Sequence, residues 1–197
     1  MFSGIVKGLG EVAEVHPKEG LLRYAVKLPK EWLEGLALGG SISVDGICQT
    51  VVKIEGDKVY FDAIQETINR TTIKNLKVGG KVNIERSLKV GDEIGGHMLS
   101  GHVFGVATIK EIRKTTNNVE MWFCCPAEWM KYILPKGYIA VDGASLTVVD
   151  VEPEGKFSVH LIPETLRLTT LGLKEEGGLV NIEFDAQTQA IVDTVER

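Results

Sequence analysis

The stretch PKEWLEGLALGGSISVDGICQTVVKI, residues 29–54, decides the fold because the chain contains it twice. Its second copy, PAEWMKYILPKGYIAVDGASLTVVDV, spans residues 126–151, and 11 of the 26 paired positions are identical without a gap. Flanking segments repeat at nearly the same spacing: SGIVKG (3–8) with SGHVFG (100–105), QETINRTT (65–72) with PETLRLTT (163–170), and VGGKVNIE (78–85) with EGGLVNIE (176–183). A repeat of this length is a whole small domain. The sequence therefore predicts two homologous domains, residues 1–97 and 98–186, and a tail of residues 187–197.

The pattern inside each repeat is mostly that of short strands. YIAVDGASLTVVDV places β-branched residues around an Asp-Gly turn, and KFSVHLI and LVNIEF alternate apolar with polar positions. Glycine-rich breaks separate these runs, so we expect an all-β protein with one antiparallel barrel of about six strands per repeat. Short helices are predicted where Pro29 and Pro126 begin PKEWLEGLA and PAEWMKYIL, and a further helix is predicted in the tail.

Composition excludes several classes of protein. The net charge of −5 and the pI near 5.5 argue against nucleic acid as a partner, because phosphate binding needs a basic surface. No stretch reaches the ~18 apolar residues that a membrane helix needs, and MFSGIVKGLG lacks the features of a signal peptide. The three cysteines form an odd set without a C-x-x-C pair, so we expect no disulfide framework and a cytoplasmic location.

The run IGGHMLSGHVFG, residues 94–105, contains four glycines and two histidines and admits three interpretations. A phosphate-binding loop would need a Lys-Ser or Lys-Thr pair before a helix, and here a strand pattern follows. A metal site is disfavoured because His97 and His102 are five positions apart, which fits neither a helical pair nor a zinc finger. The third interpretation, an interdomain loop entering a strand, uses the glycines for positive φ angles and close backbone approach. We therefore expect no metal.

Equivalent polar residues recur in both repeats and form the candidate site. Cys48 and Thr50, like Ser145 and Thr147, alternate along one strand, which predicts a polar face suited to a heteroaromatic ligand. The Glu-Thr pairs at 66–67 and 164–165 follow downstream. A structural alternative stays open: threonine favours strands, the Asp-Gly pairs at 45–46 and 142–143 favour turns, and the glutamates suit helix starts. Two matching faces suggest two related ligands, which could stack if the barrels face each other.

These motifs resemble the α-type riboflavin synthases over essentially the whole chain. The resemblance is carried by MFSGIV, both VDGxxxTVV segments, IERSLKVGDEIGGHMLSGHV, KYILPKGYIAVDGASLTVVDV and LIPETLRLTTLG. It implies two tandem six-stranded Greek-key antiparallel barrels and a short C-terminal helix that builds a homotrimer in many members. The implied transferase activity ends riboflavin biosynthesis: two 6,7-dimethyl-8-ribityllumazine molecules give riboflavin and 5-amino-6-(D-ribitylamino)uracil. No metal or redox cofactor is implied, and lumazine synthase is an implied partner.

The resemblance also implies a substrate site between the N-terminal barrel of one subunit and the C-terminal barrel of a neighbour. On the N-terminal side it implies Phe2, Gly4, Ile5, Val6, Cys48, Gln49, Thr50, Asp62, Ala63, Ile64, Gln65, Glu66 and Thr67. On the C-terminal side it implies Gly101, His102, Val103, Lys136, Ser145, Leu146, Thr147, Leu161, Ile162, Pro163, Glu164 and Thr165.

The chemistry expected at this site is proton transfer between well-oriented substrates. His102, Ser145, Thr147 and Cys48 are the candidate acid–base groups, and Lys136 is a candidate for stabilising negative charge on the ring. Holding two substrates together should supply the larger share of the rate. The sequence departs from the family pattern at Gln49, Phe104 and Ala144, and in a tail shorter than that of many relatives. The alternatives are a lumazine protein, which binds one lumazine or flavin without catalysis, and a duplicated structural barrel without a ligand.

Overall fold

The computed structural model describes residues 1–197 and consists of two closed six-stranded antiparallel barrels in tandem. The strands of barrel 1 are β1 (Gly8–Lys18), β2 (Leu21–Lys27), β3 (Ser41–Val44), β4 (Ile47–Glu55), β5 (Lys58–Ile64) and β6 (Lys81–Arg86), in the order β1-β2-β5-β4-β3-β6. The strands of barrel 2 are β7 (Gly105–Lys114), β8 (Val119–Cys124), β9 (Tyr138–Val141), β10 (Ala144–Glu152), β11 (Lys156–Leu161) and β12 (Leu179–Phe184), in the equivalent order. The predicted fold is confirmed.

The helices are short and lie outside the barrels. The α-helices are α1 (Lys30–Leu33), α2 (Gln65–Arg70), α3 (Pro163–Leu168) and α4 (Ala186–Val195), and 3₁₀ turns cover Thr72–Asn75, Ala127–Tyr132 and Thr170–Leu173. The first predicted helix is therefore a single turn, and its repeat is a 3₁₀ turn. None of the helices has the length and apolar composition that a membrane crossing requires.

Side chains fill both barrels. Tyr24 and Phe61 pack together in barrel 1, and Phe123 stacks on Phe157 in barrel 2, all without solvent exposure. These aromatic pairs lie among the inward-pointing positions of the strands, which form one core cluster per barrel. A six-stranded barrel is too narrow to enclose a ligand once its side chains are in place. Any ligand site must therefore lie on the outside.

The two Asp-Gly turns meet at the contact between the barrels. A Cβ atom added to Gly46 would lie 2.6 Å from the Gly143 nitrogen, so the turns touch backbone to backbone. Asn83 Nδ2 donates to the Asp142 carbonyl at 2.8 Å, and Asn181 Nδ2 donates to the Asp45 carbonyl at 2.8 Å. Each barrel thus caps the turn of the other. The turn interpretation of the two Asp-Gly pairs is confirmed, and the turns also form the domain interface.

The starting segment of each repeat crosses to the other barrel. The Ser145 N–H donates to the Gly4 carbonyl at 2.8 Å, so residues 1–6 run along β10 of barrel 2. The Cys48 N–H donates to the Gly101 carbonyl at 2.8 Å, so residues 98–103 run along β4 of barrel 1. Between them, Phe2 and Leu99 exchange two main-chain hydrogen bonds of 2.8 and 2.9 Å. This crossing determines which residues can share a site.

Candidate functional site: two crossed clefts

Each barrel has one open cleft beside its crossed segment. The N-cleft, of about 280 Å³, lies on barrel 1 and is lined by Ile47, Cys48, Glu66, Thr67, Arg70, Thr71, Gly101, His102 and Val103. The C-cleft, of about 180 Å³, lies on barrel 2 and is lined by Gly4, Ile5, Val6, Ala144, Ser145, Glu164, Thr165, Leu168 and Thr169. All nine lining positions correspond between the two clefts when the repeats are superposed in sequence. The molecule therefore carries two versions of one site.

The structure corrects the predicted grouping of site residues. Gly4, Ile5 and Val6 were expected beside Cys48, but they line the C-cleft with Ser145. The segment 101–103 was expected beside Ser145, but it lines the N-cleft with Cys48. The physical reason is the crossing of the two starting segments, which pair with strands of the opposite barrel.

Glycine is required where each segment crosses. Gly4 and Gly101 have φ angles of 75° and 79°, in the left-handed region that other residues rarely adopt. A Cβ atom at Gly4 would lie 2.5 Å from Ser145 Cβ, and one at Gly101 would lie 2.6 Å from Cys48 Cβ. Close backbone approach was expected of these glycines, and the partner in the structure is the strand of the opposite barrel.

Two buried carboxylates anchor the crossed segments. Glu85 accepts hydrogen bonds from the Ser3 N–H at 2.7 Å, the Ser3 hydroxyl at 2.9 Å and the next N–H at 3.0 Å. Glu183 accepts the equivalent bonds from Ser100 at 2.7 and 2.7 Å and from the next N–H at 3.1 Å. Burial raises the pKa of both carboxyl groups, and the hydrogen bonds oppose that rise. Both glutamates belong to the repeated VNIE motif, whose alternation predicted only a strand.

Ser145, which lines the C-cleft, contacts a buried histidine behind it, and the sequence did not predict this contact. His97 Nδ1 lies 2.6 Å from Ser145 Oγ, and the imidazole stacks on Tyr138 with ring centroids 4.9 Å apart. His97 is 6% exposed, and this burial lowers its pKa, while Asp185 nearby raises it. The imidazole is therefore neutral at neutral pH and can accept a proton from the Ser145 hydroxyl. Only the folded chain brings these residues, 48 positions apart, together.

The N-cleft has the same backbone and different side chains. Cys48 replaces Ser145, is half-buried, and its thiol forms no side-chain hydrogen bond. His102 occupies the position of Ile5 and is exposed, with its N–H donating to Ser100 Oγ at 3.1 Å. Glu66 lines this cleft and pairs with Arg70 one helical turn later on α2. The two clefts thus differ most at the groups able to move a proton or hold a charge.

Some predicted site residues lie outside both clefts because they are in the barrel interiors. Ala63, Leu146 and Leu161 belong to the barrel cores. Gln49 is buried and its amide donates to the Cys48 carbonyl at 3.1 Å. Phe2 is buried against Leu99 and Ala140 at the junction of the crossed segments. These five side chains lie behind the cleft surfaces.

Other predicted site residues lie on the outer surface. Thr50 and Thr147 share the outward face of Cys48 and Ser145, as predicted, but line neither cleft. Lys136 is exposed in a turn with a φ angle of 66°. The remaining predicted residues outside the clefts are Ile64 and Ile162, both exposed, Asp62 paired with Arg23, Gln65 bonded to Asn69, and Pro163.

The largest groove, of about 580 Å³, lies on the far side of α3. None of the other larger cavities is its equivalent in barrel 1. The side chains that line it carry charges of both signs, among them Lys114 and Glu176. No group of three or more His, Cys, Asp or Glu side chains comes close enough to hold a metal ion. The paired clefts, which repeat in both halves, are therefore the better candidate site.

Comparison with known proteins also divides the chain into two copies of one domain. The family model described as lumazine binding domain matches residues 3–87 and again residues 100–185. The chain is 49% identical over 198 residues to riboflavin synthase of Escherichia coli (strain K12), covering 100% of this chain and 92% of that protein. It is 45% identical over 197 residues to riboflavin synthase of Chlamydia pneumoniae, covering 100% and 96%.

Two solved structures of LumP with a bound ligand have the same fold as this chain. LumP complexed with riboflavin matches with a TM-score of 0.86 and 33% identity, covering 93% of this chain and 99% of that one. LumP complexed with flavin mononucleotide matches with a TM-score of 0.84 and 32% identity, covering 93% and 99%.

Proposed function

We propose that this chain, which belongs to the riboflavin synthase family, converts two molecules of 6,7-dimethyl-8-ribityllumazine into riboflavin and 5-amino-6-(D-ribitylamino)uracil. One substrate transfers a four-carbon unit to the other, so the reaction needs two binding positions for the same ligand. The observation that carries the proposal is the pair of corresponding clefts, each with its own polar lining. Full-length identity to riboflavin synthases and the two lumazine-binding matches support it.

Orientation of the two rings is the first contribution to catalysis. Each cleft is open on one side, so a ring seated in it would keep one face free for a second ring. Holding two reactants in a productive geometry can supply about 7–11 kcal/mol of the barrier. We propose that the N-cleft of one subunit faces the C-cleft of a neighbour in a homotrimer. The exposed side chains of Ile191 and Val195 on α4, 66% and 81% accessible, offer an apolar surface for self-association.

The second contribution is acid–base chemistry in the C-cleft. With its proton on Nε2, His97 accepts the hydrogen bond from Ser145 Oγ through Nδ1. It can take that proton as the hydroxyl oxygen, or a water in its place, attacks carbon 7 of the bound lumazine. The alternative role is removal of the acidic proton of the 7-methyl group through the same pair. Both roles need the neutral imidazole that burial favours.

The N-cleft offers His102, Cys48 and Thr67 for proton transfer to its own ring. Thr147 and Lys136 line neither cleft, so we propose that they contribute only where a neighbouring subunit closes the site. A cytoplasmic location is supported by three free cysteines, which suit a reducing compartment. Association with lumazine synthase stays a prediction from the family resemblance.

A second candidate function is storage of a lumazine or flavin without turnover, which the similarity to the LumP structures supports. One experiment separates the two functions. The pure chain is incubated with 6,7-dimethyl-8-ribityllumazine without added cofactor, and riboflavin formation is followed by absorbance. We expect steady formation of riboflavin. Tight binding without turnover would favour storage, and absence of binding would contradict both functions.

A further inference from the structure

Arg70 distinguishes the two clefts by charge. It is the last residue of α2 and lines the N-cleft, whereas Leu168 stands at the equivalent end of α3 in the C-cleft. His102 is the other basic side chain of the N-cleft, and no basic side chain lines the C-cleft. Glu164 of the C-cleft pairs with Arg167, which lines the separate groove behind α3. A negative charge on a ligand would therefore find a cation in the N-cleft alone.

The guanidinium of Arg70 is available to a ligand. Its side chain is 55% exposed, and its contact with Glu66, which is 61% exposed, uses Nε. Ion pairs between such exposed groups are weak and are easily exchanged for another partner. The terminal nitrogens of Arg70 make no hydrogen bond within the chain. A planar guanidinium with free N–H groups is the side chain best matched to a phosphate, which it can bind through two oxygens.

We propose that Arg70 makes the N-cleft selective for a flavin whose ribityl chain ends in a phosphate, such as flavin mononucleotide, which then competes with the lumazine substrate. This inference rests on the proposed function, since it requires that the N-cleft binds the lumazine or flavin ring. In the C-cleft, Leu168 offers no hydrogen bond to a phosphate, and no basic side chain takes its place. Phosphorylated riboflavin would thus inhibit the reaction by occupying the N-cleft and not the C-cleft.

The test compares the affinities of riboflavin and flavin mononucleotide, measured by quenching of flavin fluorescence at low ionic strength. The proteins are the wild type, Arg70→Leu and the matched control Arg167→Leu. Leucine is the native residue at the equivalent position of α3, so Arg70→Leu should fold normally. The control removes an arginine with the same type of pairing from the equivalent helix, but this arginine faces the other groove.

We expect the wild type to bind flavin mononucleotide about five- to tenfold more tightly than riboflavin, as one charge-assisted contact allows. The ratio should fall to about one in Arg70→Leu, because the gain from the phosphate contact is lost, and should persist in Arg167→Leu. High ionic strength should reduce the preference. Leu168→Arg should create a second phosphate-preferring cleft.

Two outcomes would overturn the proposal: equal affinities in the wild type, or a preference that survives Arg70→Leu. Lumazine turnover, measured in the same preparations, separates this failure from a failure of the proposed function. Normal turnover without a preference for flavin mononucleotide contradicts only the role of Arg70. If neither flavin nor lumazine binds, the proposed function itself fails.

Discussion

The N-cleft and the C-cleft share a backbone and differ in chemistry. In both, a Ser-Gly segment crosses from the opposite repeat, is anchored by a buried glutamate and faces a Glu-Thr pair. The differences lie at four lining positions: Ile47 against Ala144, Cys48 against Ser145, His102 against Ile5, and Arg70 against Leu168. Residues that fix the backbone are thus the same in both copies, whereas several of the side chains that line the clefts are not. A duplicated domain can assign two roles in one reaction without changing its fold.

The two repeats also differ at the interface between the barrels. Lys174 Nζ lies 3.0 Å from Asp142 Oδ2 and also donates to the Leu179 carbonyl, whereas the equivalent position in the first repeat is Leu76. Two aspartates therefore share one lysine. Lys174 favours the ionised form of Asp142, although burial raises the pKa of that carboxyl. Burial, together with the charge of Asp142, raises the pKa of Asp45 to about 8, so Asp45 holds a proton at neutral pH.

The largest effect should come from making this interface symmetric with Lys174→Leu. Removing one partner of a buried ion pair costs about 3–5 kcal/mol, because the remaining charge has no compensation. We expect a loss of that size at pH 7 in urea unfolding, and a smaller loss as the pH is lowered, because protonation of Asp142 removes the uncompensated charge. The double variant Lys174→Leu/Asp142→Asn is the control and should regain most of the stability. An unchanged unfolding midpoint in the single variant would contradict this account of the interface.

The second prediction tests the comparison between the clefts directly. Ser145→Ala removes the hydroxyl that contacts His97, and we expect turnover to fall about 100- to 1,000-fold, as for loss of an acid–base group. Cys48→Ala removes the equivalent side chain of the N-cleft, which has no such partner, and should lower turnover about tenfold or less. Steady-state kinetics gives both values, and thermal unfolding checks that each variant folds. Equal losses would show that the two clefts do not divide the chemistry as proposed.

The third prediction concerns pH and the Asp45 carboxyl. Its pKa is about 8 in the folded chain and about 4 when unfolded. Between these values the folded state binds the extra proton, so stability falls as pH rises from about 4 to 8 and then levels off. Asp142, Lys174 and Tyr24 are the titratable groups that face Asp45.

Asp45→Asn should remove this pH dependence, because the amide stays neutral throughout. Since part of Asp45 still reaches solvent, we expect a gain of about 1–2 kcal/mol at pH 8 and little change at pH 4. Urea unfolding at several pH values measures the difference. A variant that is equally destabilised at both pH values would show that Asp45 is ionised in the native protein.

The sequence predicted the barrels well because their evidence is local or repeated. Strand alternation and an offset of 97 or 98 positions identify equivalent residues, and hence Cys48 with Ser145 as cleft residues. The crossing could not be predicted, because residues 1–6 and 98–103 resemble each other and either could pair with either barrel. The contact between His97 and Ser145 could not be predicted, because the two residues are 48 positions apart in the sequence. Without that contact, the sequence suggests only a metal-binding role for His97 to be tested. The predicted boundary at residues 97–98 stays a prediction about where the repeats join.

The smallest expected effect concerns His102 and its counterpart Ile5, the one position where the first cleft carries an imidazole and the second an aliphatic chain. His102 is exposed and has no side-chain hydrogen bond, so its contribution to proton transfer should be modest. We expect His102→Gln to lower turnover about tenfold. Ile5→Gln, which adds the same amide to the C-cleft, should change turnover less than threefold, because it removes no proton carrier. If His102→Gln keeps the full rate while Cys48→Ala loses activity, the thiol moves the proton in the N-cleft. If neither matters, the N-cleft acts by binding and orientation, and the acid–base chemistry belongs to His97 and Ser145.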